Sequence, residues 1–199
     1  MDSQRRSRAR LWNAIAAALF LGAAPAGAGQ HKHARGPENF GATARVETVG
    51  VLATAYLRIH LDGYSKPRDR QTMVDALRTR GYDAFVTALR QAPSVGYLEI
   101  RDRRWTVRWA SQQPSATGRR VVIVTDQPVM FLGAGSVEAA PREGYQLALV
   151  ELQIGEAGLG EGTMAPAARI APCPDGKTVC VDEYADRPVQ LKSVVEIIQ

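Results

Sequence analysis

After Pro93 the chain reads as one short apolar run after another, each closed by a turn signal and none separated from the next by a helical pattern. That succession constrains the fold more than any other feature. Strands that follow one another without intervening helices pair antiparallel and form a meander. The runs are Val95–Arg101, Trp105–Ser111, Arg120–Thr125, Tyr145–Ile154, Gly162–Ile170, Lys177–Glu183 and Val189–Ile198. Trp105, Val107 and Trp109 are expected to share one face, and Val189, Leu191, Val195 and Ile197 another.

Upstream, Val51, Ala53, Ala55, Leu57, Ile59 and Leu61 alternate with Leu52, Thr54, Tyr56, Arg58, His60 and Asp62. A period of two over eleven residues predicts a strand with one buried face. Two short helices follow. Ser65 is expected to cap the first, with Pro67 in its first turn, an apolar stripe of Met73, Val74 and Leu77, and an end at Gly81. Asp83 is expected to cap the second, with Phe85, Val86 and Leu89 facing inward and Pro93 beyond its end. The expected class is α+β, mostly β: an antiparallel meander of about eight strands closed into a small barrel or strongly curved sheet, with a two-helix insert after the first strand. Residues 46–199 form this single domain, and 29–45, lacking apolar periodicity, are expected to be a flexible N-terminal tail. The longest irregular stretch, Leu132 to Gly144, is a candidate lid.

The first 28 residues read as a signal peptide. Arg5, Arg6, Arg8 and Arg10 precede an uncharged apolar run from Leu11 to Ala24, and Ala26-Gly27-Ala28 is a small-x-small cleavage site. The apolar run falls short of the ~20 residues a membrane span needs and is followed by Pro25 and glycine, so no transmembrane segment is expected in the mature chain. The expected destination is the periplasm or the outside of the cell. The whole chain carries 25 basic and 20 acidic side chains. The leader removes four arginines and one aspartate, leaving 21 against 19, or +2. An excess that small, with Arg101, Arg103, Arg104 and Arg108 interrupted by Asp102, does not point to nucleic acid.

An even pair of cysteines in an oxidising compartment suggests a disulfide. Between Cys173 and Cys180 the chain opens with Pro174-Asp175-Gly176, a turn signal that brings the two thiols together as a staple across a hairpin. Catalytic motifs are missing. Outside the tail His60 is the one imidazole, and it falls on the polar face of its strand. Gly133-Ala134-Gly135-Ser136 lacks the glycine that a nucleophile elbow needs after its serine. Gly158-Leu159-Gly160-Glu161-Gly162 precedes a strand, so no helix N-terminus is present to hold a phosphate there. These glycines are expected to turn a hairpin and let one strand pass close to its neighbour. Asp182, Glu183 and Asp186 lack the spacing of a calcium loop and read as a solvated turn. Cleavage after Ala28 would expose Gly29-Gln30-His31. Its free amine, two amide nitrogens and imidazole can wrap a square-planar Cu(II) or Ni(II), and this is the one candidate metal site.

Gly160-Glu161-Gly162-Thr163-Met164, Ala168-Arg169-Ile170, Asp182-x-Tyr184 and Pro188-Val189-x-Leu191 with Val194 resemble a group of uncharacterised exported bacterial proteins. The stretch Leu77 to Tyr97 is similar to them as well. The resemblance implies an exported β domain; it brings no activity, no cofactor and no catalytic residue. Two functions then compete. In the first, the domain binds a small apolar or amphipathic ligand, with Tyr97, Trp105, Trp109 and Phe131 as the lining. In the second it is an envelope structural or interaction protein that meets a partner through its surface. Without a nucleophile–base pair, an enzyme ranks last.

Overall fold

The computed structural model describes residues 36–48, 51–129, 143–172, 179–183 and 189–197. The strands are β1 (Glu38–Thr48), β2 (Val51–Leu61), β3 (Gly96–Ile100), β4 (Arg103–Ser115), β5 (Gly118–Thr125), β6 (Leu147–Gly155), β7 (Leu159–Pro172), β8 (Val179–Glu183) and β9 (Val189–Ile197), with α1 (Pro67–Arg80) and α2 (Tyr82–Gln91) between β2 and β3. Neighbours pair antiparallel from β1 to β7, and β9 closes the ring by pairing with both β7 and β1. The result is a closed eight-stranded antiparallel barrel. The mostly-β class and the two-helix insert are as expected from the sequence.

The membership of the ring differs from the expectation. Glu38–Arg45 belongs to strand β1, paired in continuous register with β2 from Glu38 opposite Leu61 to Thr48 opposite Val51, so it is not a tail. Its inward positions, Phe40, Ala42 and Ala44, do alternate. Alanines and a glycine gave that alternation little amplitude, and the insert therefore follows the second strand, not the first. The Lys177–Glu183 run contributes β8, which lies outside the ring. It pairs with the far half of β7, Ala168 to Pro172, on the same edge that β9 takes nearer the N-terminus of β7.

The barrel interior is filled by side chains. Phe40, Leu57, Ile59, Leu98, Ile123 and Leu191 are among the buried residues there, as expected for a ring of eight strands, whose lumen is about wide enough for its own side chains. A second core lies between the barrel and the insert. Met73, Val74 and Leu77 of α1 and Phe85, Val86 and Leu89 of α2 pack on Trp109, Val124, Leu149 and Ile170, covering the outer side of β4 to β7. Neither helix uses its expected cap. Lys66 and Gly81 occupy the N-cap positions without a side-chain bond. Ser65 is buried, and its Oγ accepts the Ala110 amide at 3.0 Å while its own amide donates to the Ala110 carbonyl at 2.9 Å. It thereby serves the edge of β4 beyond the end of β3.

Two bulges overturn the expected faces. A register shift between Val107 and Trp109 on β4 leaves Trp105 and Val107 inside the barrel and turns Trp109 outward beneath the helices. On β9 the shift falls at Ser193, whose φ is 51°. Val189, Leu191 and Val194 consequently line the interior, while Val195 and Ile197 face outward against Gly41 and Asn39. A bulge adds one residue to one strand and so inverts the alternation beyond it. At the β6–β7 hairpin the glycine reading holds. Gly158 turns with φ 73°, and a Cβ on Gly160 would collide with the Gln153 carbonyl.

Candidate functional site

Of the four aromatic residues expected to line a ligand chamber, the three that are described do not come together. Trp105 is buried in the interior core, with the Arg103 guanidinium 5.3 Å from its ring. Trp109 lies in the helix-covered core and donates to Ser111 Oγ at 3.3 Å. Tyr97 stands on the outside of β3, and Phe131 lies outside the described residues. Gly29, Gln30, His31 and Cys173 also lie outside them. Cys180 sits on β8 opposite Ala171. Asp182 and Glu183 follow it on the same strand, whereas Asp186 is outside the described residues.

One end of the barrel is closed by charge. Arg119 continues the inward alternation of Val121 and Ile123, so its guanidinium enters the lumen, 5.5 Å from the Phe40 ring. Its Nη1 donates to Glu38 Oε2 at 2.8 Å, to the Tyr64 hydroxyl at 2.8 Å and to Gln112 Oε1 at 2.9 Å. Its Nη2 forms an ion pair with Glu196 Oε1 at 2.9 Å, and Tyr64 donates to Glu38 Oε2 at 2.8 Å. Burial and the bond to Glu38 raise the Tyr64 phenol well above its ordinary value. Burial works against the charged Arg119, yet its bonds to Glu38 and Glu196 outweigh it and raise that group too. β1, β4, β5, β9 and the connection from β2 to α1 are thus tied at one point. The chemistry is that of a plug: the guanidinium is held between the carboxylates of Glu38 and Glu196, with Tyr64 and Gln112 completing the contacts of Nη1. The sequence signal for it was a charged residue in step with inward valines.

The outer wall over β9, β1, β2, β3 and the first half of β4 is uncovered by helices and carries an ordered array. Register sets Asn39, His60, Tyr97 and Thr106 in one row, and Gly41, Arg58, Glu99 and Arg104 in the next. His60, on the polar face of its strand as expected, is half-buried there. Its Nδ1 lies 2.8 Å from Asn39 Oδ1 and its Nε2 3.2 Å from Asp62 Oδ1, and its ring stacks on Tyr97 at 5.0 Å. No hydroxyl or thiol among the described residues hydrogen-bonds to it. Tyr56 lies over Gly41, where a Cβ would strike its hydroxyl. The large hydrophobic residues exposed among the described residues are Leu52, Tyr56, Leu159 and Ile197, at 42 to 60%. All four project outward across β7, β9, β1 and β2, the side of the barrel away from α1 and α2.

A shallower feature lies further round. Glu151, Gln153, Glu161, Thr163, Gln190 and Lys192 border an open, polar concavity of about 150 Å³. Arg120 grips Glu151 there with Nε and Nη2 at 2.7 and 2.6 Å. No group of three His, Cys, Asp or Glu side chains among the described residues could hold a metal, and no helix among them is long and apolar enough to cross a membrane.

Fold and surface together define a closed antiparallel barrel with a filled lumen, a charged plug at one end and one helix-free wall. No protein family matches the chain, and neither the curated proteins nor the solved structures hold a match to it.

Proposed function

We propose that this is an exported interaction module that meets a partner protein through its helix-free outer wall. The observation that carries the reading is that Leu52 and Tyr56 on β2 and Ile197 on β9 project from that wall, with Ile197 opposite Asn39 of the polar row and Leu159, at the uncovered start of β7, opposite Val195 of β9. Apolar side chains gathered on one side and rimmed by polar ones mark an interaction surface, whereas singly scattered ones do not. The filled lumen supports the same choice. Buried residues such as Leu98, Trp105 and Ile123 occupy the space inside the ring where a small apolar ligand would lie. Export rests on the basic, apolar and small-residue segments of residues 1–28.

The test is site-specific photo-crosslinking in living cells. A photoreactive residue at position 56 should capture a defined partner, while one at Thr79, on the exposed face of α1, should not. Equal capture from both positions would refute the reading, as would a stoichiometric apolar molecule in native mass spectra of the purified chain. N-terminal sequencing of the mature protein should begin at Gly29, and an uncleaved chain in the cytoplasm would remove the export step.

A further inference from the structure

On the outer wall, two arginines are held in position yet keep most of their donors unused. Arg58 of β2, Glu99 of β3 and Arg104 of β4 stand directly opposite one another across three adjacent strands. Glu99 is the inner member, 14% exposed against 66% for Arg58 and 63% for Arg104. Arg104 contacts the carboxylate through Nε alone, at 2.5 Å, and Arg58 approaches it through Nη1 at 3.7 Å. Each guanidinium carries five N–H donors in a planar fork, so one carboxylate leaves most of the pair's donors unmatched. It also leaves one unit of positive charge uncompensated within the row.

The forks are also ordered. The Arg104 guanidinium lies 4.4 Å from the Tyr97 ring, and His60 stacks on that ring from the neighbouring strand on the opposite side. Arg58 lies 5.9 Å from the Tyr56 ring. A guanidinium fixed by stacking and by a shared carboxylate loses less rotamer freedom on binding than a free one.

We propose that the Arg58–Glu99–Arg104 row recognises carboxylates and docks an acidic segment of a partner protein. The inference rests on the outer wall being a protein-binding surface and adds the chemistry of what it binds. The argument for the occupant is charge complementarity: paired forks with unused donors match carboxylates bidentately. Glu99 beneath them disfavours a phosphate dianion more than a carboxylate monoanion. Tyr56, two residues from Arg58 on the same outward face, offers apolar contact to the side chains of a polypeptide.

The test is fluorescence anisotropy on the full mature chain with a labelled peptide of alternating glutamate and leucine. Vesicles containing anionic phospholipid and inorganic phosphate serve as separate probes. The peptide should bind, and more weakly as salt rises. The double variant Arg58→Ala/Arg104→Ala should bind about tenfold more weakly or worse. Arg104→Lys should lose affinity several-fold, because an ammonium keeps the charge but not the fork. Arg68→Ala on α1 should leave binding unchanged. Circular dichroism must show each variant folded; both arginines are exposed, so folding should survive. The proposal is overturned if the peptide does not bind, if the double variant or the lysine variant binds as well as the parent, or if only the vesicles or phosphate bind. Any of these, alongside specific capture from position 56, would remove the acidic occupant and leave the protein-binding wall intact.

Discussion

Replacing Arg119 by alanine is expected to destabilise the barrel by about 3–5 kcal/mol, the range for removing one partner of a buried ion pair. The structure supplies the reasons. The guanidinium joins Glu38 at 2.8 Å and Glu196 at 2.9 Å. With charge centres ~4 Å apart and an effective dielectric constant of ~20, each pair contributes about 4 kcal/mol of attraction. That attraction offsets the cost of taking three ions out of water. Without the cation, the Glu38 side chain, only 6% exposed, keeps its desolvation cost and faces a second carboxylate. In a domain of this size the loss corresponds to a Tm lower by roughly 6–20 °C. Urea unfolding followed by fluorescence measures it directly, because Trp105 and Trp109 are buried in separate cores. Arg119→Met combined with Glu38→Gln removes both charges and should recover at least about half of the loss. A cost below about 1 kcal/mol for Arg119→Ala, or a double variant less stable than the single one, would refute the reasoning.

Three further outcomes are expected. Gly160→Ala should cost about 1–3 kcal/mol in thermal melts, since the new methyl meets the Gln153 carbonyl across the hairpin, whereas Gly36→Ala, in open space, should be neutral. Tyr64 and Tyr82 both have phenols raised above the ordinary value, each chiefly by burial. Their contribution is complete below the unfolded tyrosine value of about 10 and is lost as pH rises through it, so urea midpoints should be flat from pH 8 to 9.5 and fall above that. Replacing Tyr64 by phenylalanine should flatten part of that fall. Finally, alkylation of the unreduced mature chain should modify neither Cys173 nor Cys180, and reduction should expose both; labelling before reduction would exclude the staple.

The parts of the fold legible in sequence were those whose alternation had amplitude. In β2, Leu57, Ile59 and Leu61 against Arg58 and His60 leave one reading. In β1 the inward positions beyond Phe40 are Ala42 and Ala44, with Gly41 before them and Thr43 between them, so the same period carries almost no contrast and the segment resembles a tail. The bulges at Trp109 and Ser193 were hidden for another reason. An apolar residue fits the expected period whether it faces the lumen or the helices, so only three-dimensional register separates Trp105 from Trp109. The candidate surface was the least legible. Arg58, Glu99 and Arg104 come from three strands, and nothing in their spacing announces that they share a row. Arg119 was the exception that could have been caught, as a charge in step with Val121 and Ile123.

The seam between β1 and β9 sets Asn39 opposite Ile197, near the two ends of the folded body. Nothing can close the ring until the last strand has been made, because the loop to be ordered spans nearly the whole domain and its contacts come only at the end. Until β9 docks, β1 and β7 each present an unpaired edge, so closure of the ring is expected to be the last step of folding. Under the export proposed above, with the chain crossing in extended form, such an order of events would be useful. The chain would then be pliable in transit and would close its eight-stranded ring only on arrival, with β8 left as a short outer edge.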